Sequence, residues 1–229
     1  MGVPDDVDLD RVWVGVAAQV WRRRPHRIER LAAIVLRSPG LARALTTTPS
    51  LLPGSLIATA LILAVGSLAA RETGTPYAAL LAPVAAAAGI AYSYGAGTDP
   101  AWELIRATAV SDRMILLVRA LAVFAVNAVL GLLASLASGA ATVLTFGWLL
   151  PMTAVCALAL AAATLARSAT AGLAVGTAAW LVDVASRRLA GGRLGAAVSD
   201  AALSVPYLIV AVCCAAVVVY ATRTERGVS

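Results

Sequence analysis

Lysine is absent from this chain, and all 18 of its basic residues are arginine. With the excess of Ala, Val and Gly, that is what a GC-rich coding sequence produces, and it carries no functional weight. Histidine occurs once, as His26, and only three cysteines are present, Cys156, Cys213 and Cys214, all inside apolar runs. Those cysteines suit packing better than a disulfide framework or a metal site. A rhomboid-type protease needs a Ser nucleophile with a His base inside the bilayer, and His26, ahead of the first apolar run, cannot reach such a place. The phosphate-binding loop GxxxxGK[ST] occurs nowhere, so the chain cannot hydrolyse ATP by itself. Charged residues make up only 13% of the chain, about half the share of a soluble domain. Water is therefore not its main solvent. The acidic residues beside the apolar runs are scattered, with Asp99 and Asp112 on one side and Asp183 on the other, which argues against the clustered membrane-facing carboxylates that a metal-dependent lipid-headgroup transferase requires. The opening MGVPDDVDLD is acidic where a secretory signal is basic and then apolar, so no cleaved signal is expected. Asp6 occupies the Ser/Thr position of the myristoylation motif, which argues against that anchor.

What is present is apolar surface. Hydrophobic residues make up 61% of the chain, in runs of about 20, the length an α-helix needs to cross roughly 30 Å of hydrocarbon. The pattern predicts an all-α integral membrane protein with six transmembrane helices, over Leu51–Ala70, Tyr77–Tyr94, Met114–Leu136, Val143–Leu165, Thr170–Ala185 and Leu203–Ala221. The connections Arg71–Pro76, Ala137–Thr142 and Ala166–Ala169 are short, so consecutive helices run antiparallel and pack as neighbours. Three parts follow: a segment 1–50, a helical domain 51–221 and a tail 222–229.

Basic residues set the orientation, because short loops rich in positive charge stay cytoplasmic. With the N terminus inside, the outer side keeps only Arg71, Arg187, Arg188 and Arg193 of the 18, the last three in SRRLAGGRLGAAVSD. Both termini are then cytoplasmic. Ahead of the first span, Leu31, Ile34, Val35 and Leu41 alternate with Arg27, Arg30, Arg37 and Arg43. This suits a helix lying in the inner interface, broken at Ser38 and Pro39, with its arginines on anionic headgroups.

Between spans two and three lies TDPAWELIRATAVSDR, residues 98–113. Asp99 caps free backbone N–H groups, and Pro100 fits the first helical position because no donor is needed there. A helix from about Pro100 to Ala109 is implied. Trp102, Ile105 and Ala109 share one stripe while Glu103 and Arg106 turn elsewhere, giving an amphipathic rod too short and too charged to span. Ser111 and Asp112 cap the helix that follows. Two readings stay open from the residues alone: a contact that receives force from a soluble partner through Trp102, Glu103 and Arg106, or a loop helix with Trp102 anchored among headgroups.

The block DPAWELIRATAVSDRMILLVRA resembles the cytoplasmic loop of permease subunits of type-2 ATP-binding-cassette exporters. The chain is also similar to a group of high-GC bacterial membrane proteins in which RSPGLARAL, TTPSLL, GIAYSYG and ATLARSA recur in comparable places. The resemblance covers roughly residues 27–221, with Asp99–Arg119 its most specific part. It implies an N-terminal amphipathic elbow helix, six spans, and a coupling helix over Thr98–Ser111 that presents Asp99, Pro100, Trp102, Glu103, Ile105 and Arg106 to a separate ABC ATPase subunit. That subunit holds the ATP, and the chain itself carries no cofactor. It further implies a second permease copy, as homodimer or sister chain, and a place in the bacterial cytoplasmic membrane. Some members of the group carry an anti-sigma-type zinc finger ahead of the permease-like part, but with His26 the sole histidine and no cysteine before Cys156 the ligands of such a finger are missing here. The alternative function is a non-transporting membrane regulator or scaffold built on the same bundle.

Within the spans, small residues prevail. Gly172 and Gly176, and the Gly131, Ser135 and Ser138 face, allow close helix approach. Asn127 lies deep in span three and Asp183 near the outer end of span five, and polar groups in such places are costly enough to be functional candidates. The plainer expectation for Asn127 is a hydrogen bond between helices. For Asp183 it is either an outward reach of the side chain to the interface or a pair with Arg187, its i+4 neighbour.

Overall fold

A computed structural model describes scattered positions up to residue 51 and then residues 53–94, 112–139, 146–189, 191 and 204–224. The chain divides into two units, Met1–Ala42 and Arg43–Ser229. In the first, Arg11, Val14, Gly15, Glu29, Arg30, Ala33 and Ile34 are helical. Arg37 takes a left-handed φ of 48° and donates its N–H to the Ile34 carbonyl at 3.4 Å. The interfacial helix expected over this segment is described only at such positions.

The second unit contains six described helices: α1 Pro53–Thr73, α2 Tyr77–Ala91, α3 Asp112–Ala137, α4 Leu149–Ala166, α5 Ala169–Leu189 and α6 Ser204–Thr224. No strand occurs among the described residues. Five of the helices, all but α2, are long and apolar enough to cross a membrane. Their outward faces carry large apolar side chains, among them Leu61, Val65, Leu121, Leu133, Leu181, Val182, Leu208 and Val212, each at least 56% exposed. A soluble protein does not tolerate so continuous an apolar surface, whereas lipid tails welcome it. The chain is thus a multi-pass membrane protein.

Helix α2 is the exception in length. Its 15 residues rise only about 22 Å at 1.5 Å each. It ends at Ala91 because Ser93 and Tyr94 donate to the carbonyls of Ile90 and Ala91 three residues back, tightening the last turn. The backbone there is enclosed by protein: α2 packs against α1, α3, α4 and α5. Alanines make that possible. Ala78, Ala79, Ala82, Ala86, Ala87 and Ala91 are all buried, and their small side chains let four neighbours approach. Pro83, inside α2, supplies no N–H to the turn before it. One residue on from the Ala79 carbonyl that Pro83 leaves without its helical donor, the Leu80 carbonyl accepts from the indole Nε1 of Trp180 on α5 at 2.9 Å, tying α5 to α2.

Helix α4 is the second hub, in contact with α2, α5 and α6 and more lightly with α3. Its continuous part begins at Leu149, after helical Phe146 and Gly147 and a turn at Trp148, while the expected start at Val143 lies outside the described residues. Trp148 turns into the core at 0% exposure, and Pro151 falls in the first turn, where its missing donor costs nothing. The α4–α5 hairpin closes at Arg167, left-handed at φ 50°, with Ser168 N–H on the Ala163 carbonyl at 3.1 Å. Ser168 then caps α5, its Oγ accepting the Ala171 N–H at 3.4 Å. Across this hairpin a Cβ on Gly172 would lie 2.6 Å from the Ala159 carbonyl oxygen, and one on Gly176 2.9 Å from the Ala159 Cβ. The Gly172/Gly176 pair therefore seats α5 directly on the Ala159/Ala163 face of α4. Gly131 does the same for α3, where the Trp148 ring occupies the space a Cβ would need.

The antiparallel order gives the bundle two ends, one at Pro53 and one at Gly74. At the Gly74 end the Arg71 guanidinium donates to the Ala137 carbonyl through Nε at 2.8 Å and also through Nη2. Arg71 thereby caps the last turn of α3 from α1, a cation on the negative end of a helix. Helix α6 is peripheral: 6% of its apolar window is buried within the bundle, against 44% for α4.

Candidate functional site

A cavity of about 320 Å³ opens among α1, α2 and α3 in the Pro53 half of the bundle. Helix α1 contributes Ser55, Ala58, Thr59 and Ile62, one face at helical spacing. Helix α2 contributes Ala85, Ala88 and Gly89, with Tyr92 just beyond its end, and α3 contributes Asn127. The space exists because small residues face it: with two alanines and a glycine on α2, nothing fills the gap that α1 leaves. No Asp, Glu, Arg or His lines it. Its polar groups are three hydroxyls and one carboxamide.

Asn127 is 6% exposed. Its Nδ2 donates to the Val123 carbonyl of its own helix at 2.8 Å, which fixes the amide orientation, since the reverse would set two acceptors against each other. The other half of the amide, Oδ1, is buried with no hydrogen-bond partner. The hydrogen bond between helices expected of Asn127 is not what it makes. Thr59 is unusual in the same way. Thr73, Thr153, Thr164, Thr177 and Thr222 each donate to a carbonyl one turn back, whereas no such bond forms at Thr59. Two turns along α3 from Asn127, Arg119 is 1% exposed. Arg119, Val123 and Asn127 recur every four residues, so the most buried face of α3 carries a guanidinium and an amide.

Asp183 stands elsewhere, at the Gly74 end of α5. Arg187 pairs with it as the i+4 spacing implied, Nη2 to Oδ1 at 2.9 Å and Nε to Oδ2 at 3.1 Å. Tyr207 of α6 adds a third member, its hydroxyl donating to Oδ2 at 2.8 Å. The carboxylate is thus held on both oxygens by two helices and does not line the cavity. Its geometry is that of a tie between α5 and α6. Among the described residues no three His, Cys, Asp or Glu side chains gather to hold a metal ion, and Cys156, Cys213 and Cys214 are free thiols.

Asp99, Pro100, Trp102, Glu103, Ile105 and Arg106 lie outside the described residues, as does the expected helix Thr98–Ser111 that holds them. Their neighbours are described: residues 95–111 join α2, which ends at Ala91, to α3, which begins at Asp112. Ser55, Thr59 and Tyr207 carried no motif that would single them out, while Tyr92 and Arg119 stood out only through GIAYSYG and the Asp99–Arg119 block, and Arg119 also as a positive charge for orientation. Comparison of the chain with models of known families, with curated proteins and with solved structures finds no match in any of the three.

Proposed function

We propose that the chain is the membrane-spanning permease subunit of an ATP-driven exporter, working as one of a pair and moved by a separate ATPase. The observation that carries this reading is the Asp99–Asp112 segment, with its capped, amphipathic pattern and its resemblance to permease coupling loops. The fold adds a mechanical reason to favour it. The segment joins α2 to α3, and these two helices supply two of the three walls of the cavity. Force on the segment therefore acts on the cavity directly. In this scheme ATP closes two partner subunits on the cytoplasmic side, Trp102, Glu103 and Arg106 receive that motion, and α2 and α3 shift against α1 so that the pair passes from inward-open to outward-open. Both termini and the Pro53 end face the cytoplasm.

The test is co-purification of the full chain from its native membrane. Capture of an ATPase that disappears on Trp102→Ala or Glu103→Arg, with the helical content unchanged, is the expected result. Capture of a sigma factor or kinase in its place supports the regulator instead. Labelling of Trp102→Cys from outside the cell overturns the export reading.

A further inference from the structure

We infer that the cavity among α1, α2 and α3 is a binding site for a neutral long-chain amphiphile whose head carries a hydroxyl or amide N–H. The inference rests on the cavity and not on the ATP-driven mechanism, so it holds whether or not a partner moves the bundle. Four features set the ligand class. First, the lining contains no side chain of fixed charge, and at membrane depth an ionised head without a counter-charge is strongly disfavoured. Second, two polar groups of the lining have nothing to bond: the Asn127 Oδ1 is an acceptor awaiting a donor, and the Thr59 hydroxyl makes no bond to its own helix. A buried amide oxygen left in this state costs about 1–3 kcal/mol, which a donor on the ligand would recover after a small rotation of the side chain. Third, the remaining wall is alanine, glycine and Ile62, suited to methylenes. Fourth, about 320 Å³ holds on the order of ten groups the size of a water molecule or methylene, enough for a head and the first part of a chain. Ile62 and Tyr92 are 50% and 37% exposed, so the rest of a chain can leave along the outer surface of the bundle into lipid.

A diazirine-bearing fatty alcohol of about sixteen carbons is the probe, with the matched fatty acid as the charged control and the matched alkane as the headless one. The full chain in lipid nanodiscs is irradiated with each, and labelled peptides are mapped by mass spectrometry. The expected result is alcohol label on α1, α2 and α3 around Thr59, Ala88 and Asn127, saturable by unlabelled alcohol. Fatty acid and alkane should label there several-fold less. Asn127→Leu should lower the alcohol label roughly tenfold, the factor that one lost hydrogen bond of about 1.4 kcal/mol corresponds to, without changing alkane label. Ala88→Phe, which fills the space, should remove both, and Thr59→Val guards against a misfolded Asn127 variant by giving a smaller loss in the same direction. Equal labelling by alcohol and alkane, preference for the fatty acid, or alcohol labelling that survives Ala88→Phe overturns the inference.

Discussion

Replacing Gly172 by alanine tests how α5 is seated, because the structure assigns the opposing effects separately. Alanine is the better helix former by about 1 kcal/mol, so in an open helix the change would stabilise. At Gly172 the added Cβ meets the Ala159 carbonyl oxygen at 2.6 Å and the Ala163 Cβ at 2.7 Å. Both belong to helix α4, and neither is the far end of a flexible side chain that could turn aside. The helices must separate by several tenths of an ångström, and a gap of about 0.5–1 Å forfeits a quarter to a half of each dispersion contact along the seam. Overpacking of this kind costs about 1–3 kcal/mol, and two rigid contacts place Gly172 in the upper part of that range. Subtracting the propensity gain leaves a net loss of about 1–2 kcal/mol.

The measurement is reversible unfolding in mixed micelles of rising SDS content, followed by the fluorescence of the chain's own tryptophans. Gly54→Ala is the control, since a Cβ there meets nothing within 4 Å, and it should leave stability unchanged or raise it. Gly176→Ala should fall between the two, its closest contact being the Ala159 Cβ at 2.9 Å. A Gly172→Ala protein as stable as the parent, or a Gly54→Ala protein weakened as much, would refute the close seating of α5 on α4.

Two further outcomes follow from side chains that join helices. Trp180→Phe keeps most of the ring in its buried place but withdraws the donor from the Leu80 carbonyl; a loss of about 1 kcal/mol in the same titration is expected, with faster amide hydrogen exchange in the Leu80–Val84 turn, and unaltered exchange would count against the bond. Tyr207→Phe combined with Asp183→Asn should show a coupling of about 0.6 kcal/mol, the usual size for hydrogen bonds between membrane helices, kept small because Asp183 is 26% exposed; strictly additive losses would mean that the Tyr207 hydroxyl does not hold the carboxylate.

Helix placement was legible because the bilayer imposes one length on every crossing, and the charge-free runs in this chain have it. Expected and observed bounds agree within a few residues where both ends are described, and at α4 the run gave no sign of the turn at Trp148 between helical Gly147 and Leu149. The shortness of α2 was hidden for a related reason: Tyr92, Ser93 and Tyr94 extend the apolar run but turn out of the helix. Local pairs could be read from spacing, and so the Asp183–Arg187 pair was visible at i+4. Contacts such as Trp180 with Leu80 and Arg71 with Ala137 cross 100 and 66 residues of chain, and no periodicity encodes them. The cavity was invisible for the same reason. It is a place where alanine and glycine on α2 fail to meet α1, which depends on how three helices are set against one another.

The ties between helices and the cavity together bear on how the bundle could move. Toward the Gly74 end, Arg71 joins α1 to α3, Trp180 joins α5 to α2 and Tyr207 joins α6 to α5. In the Pro53 half, Asn127 and Thr59 line the cavity, and the Asn127 Oδ1 has no hydrogen-bond partner. Hydrogen bonds between helices fix relative position, whereas a cavity leaves room for rearrangement without a steric penalty. Helices α2 and α3, displaced at the Pro53 end where residues 95–111 join them, would therefore change the width of the cavity they line. Locking the Pro53 end by a disulfide between cysteines placed at Ala58 and Ala88 should block such motion and leave the Gly74 end unaltered. If a partner ATPase is found, that crosslink should abolish its ATP-dependent effect on the bundle, with recovery on reduction; full function in the crosslinked state would show that the movement lies elsewhere.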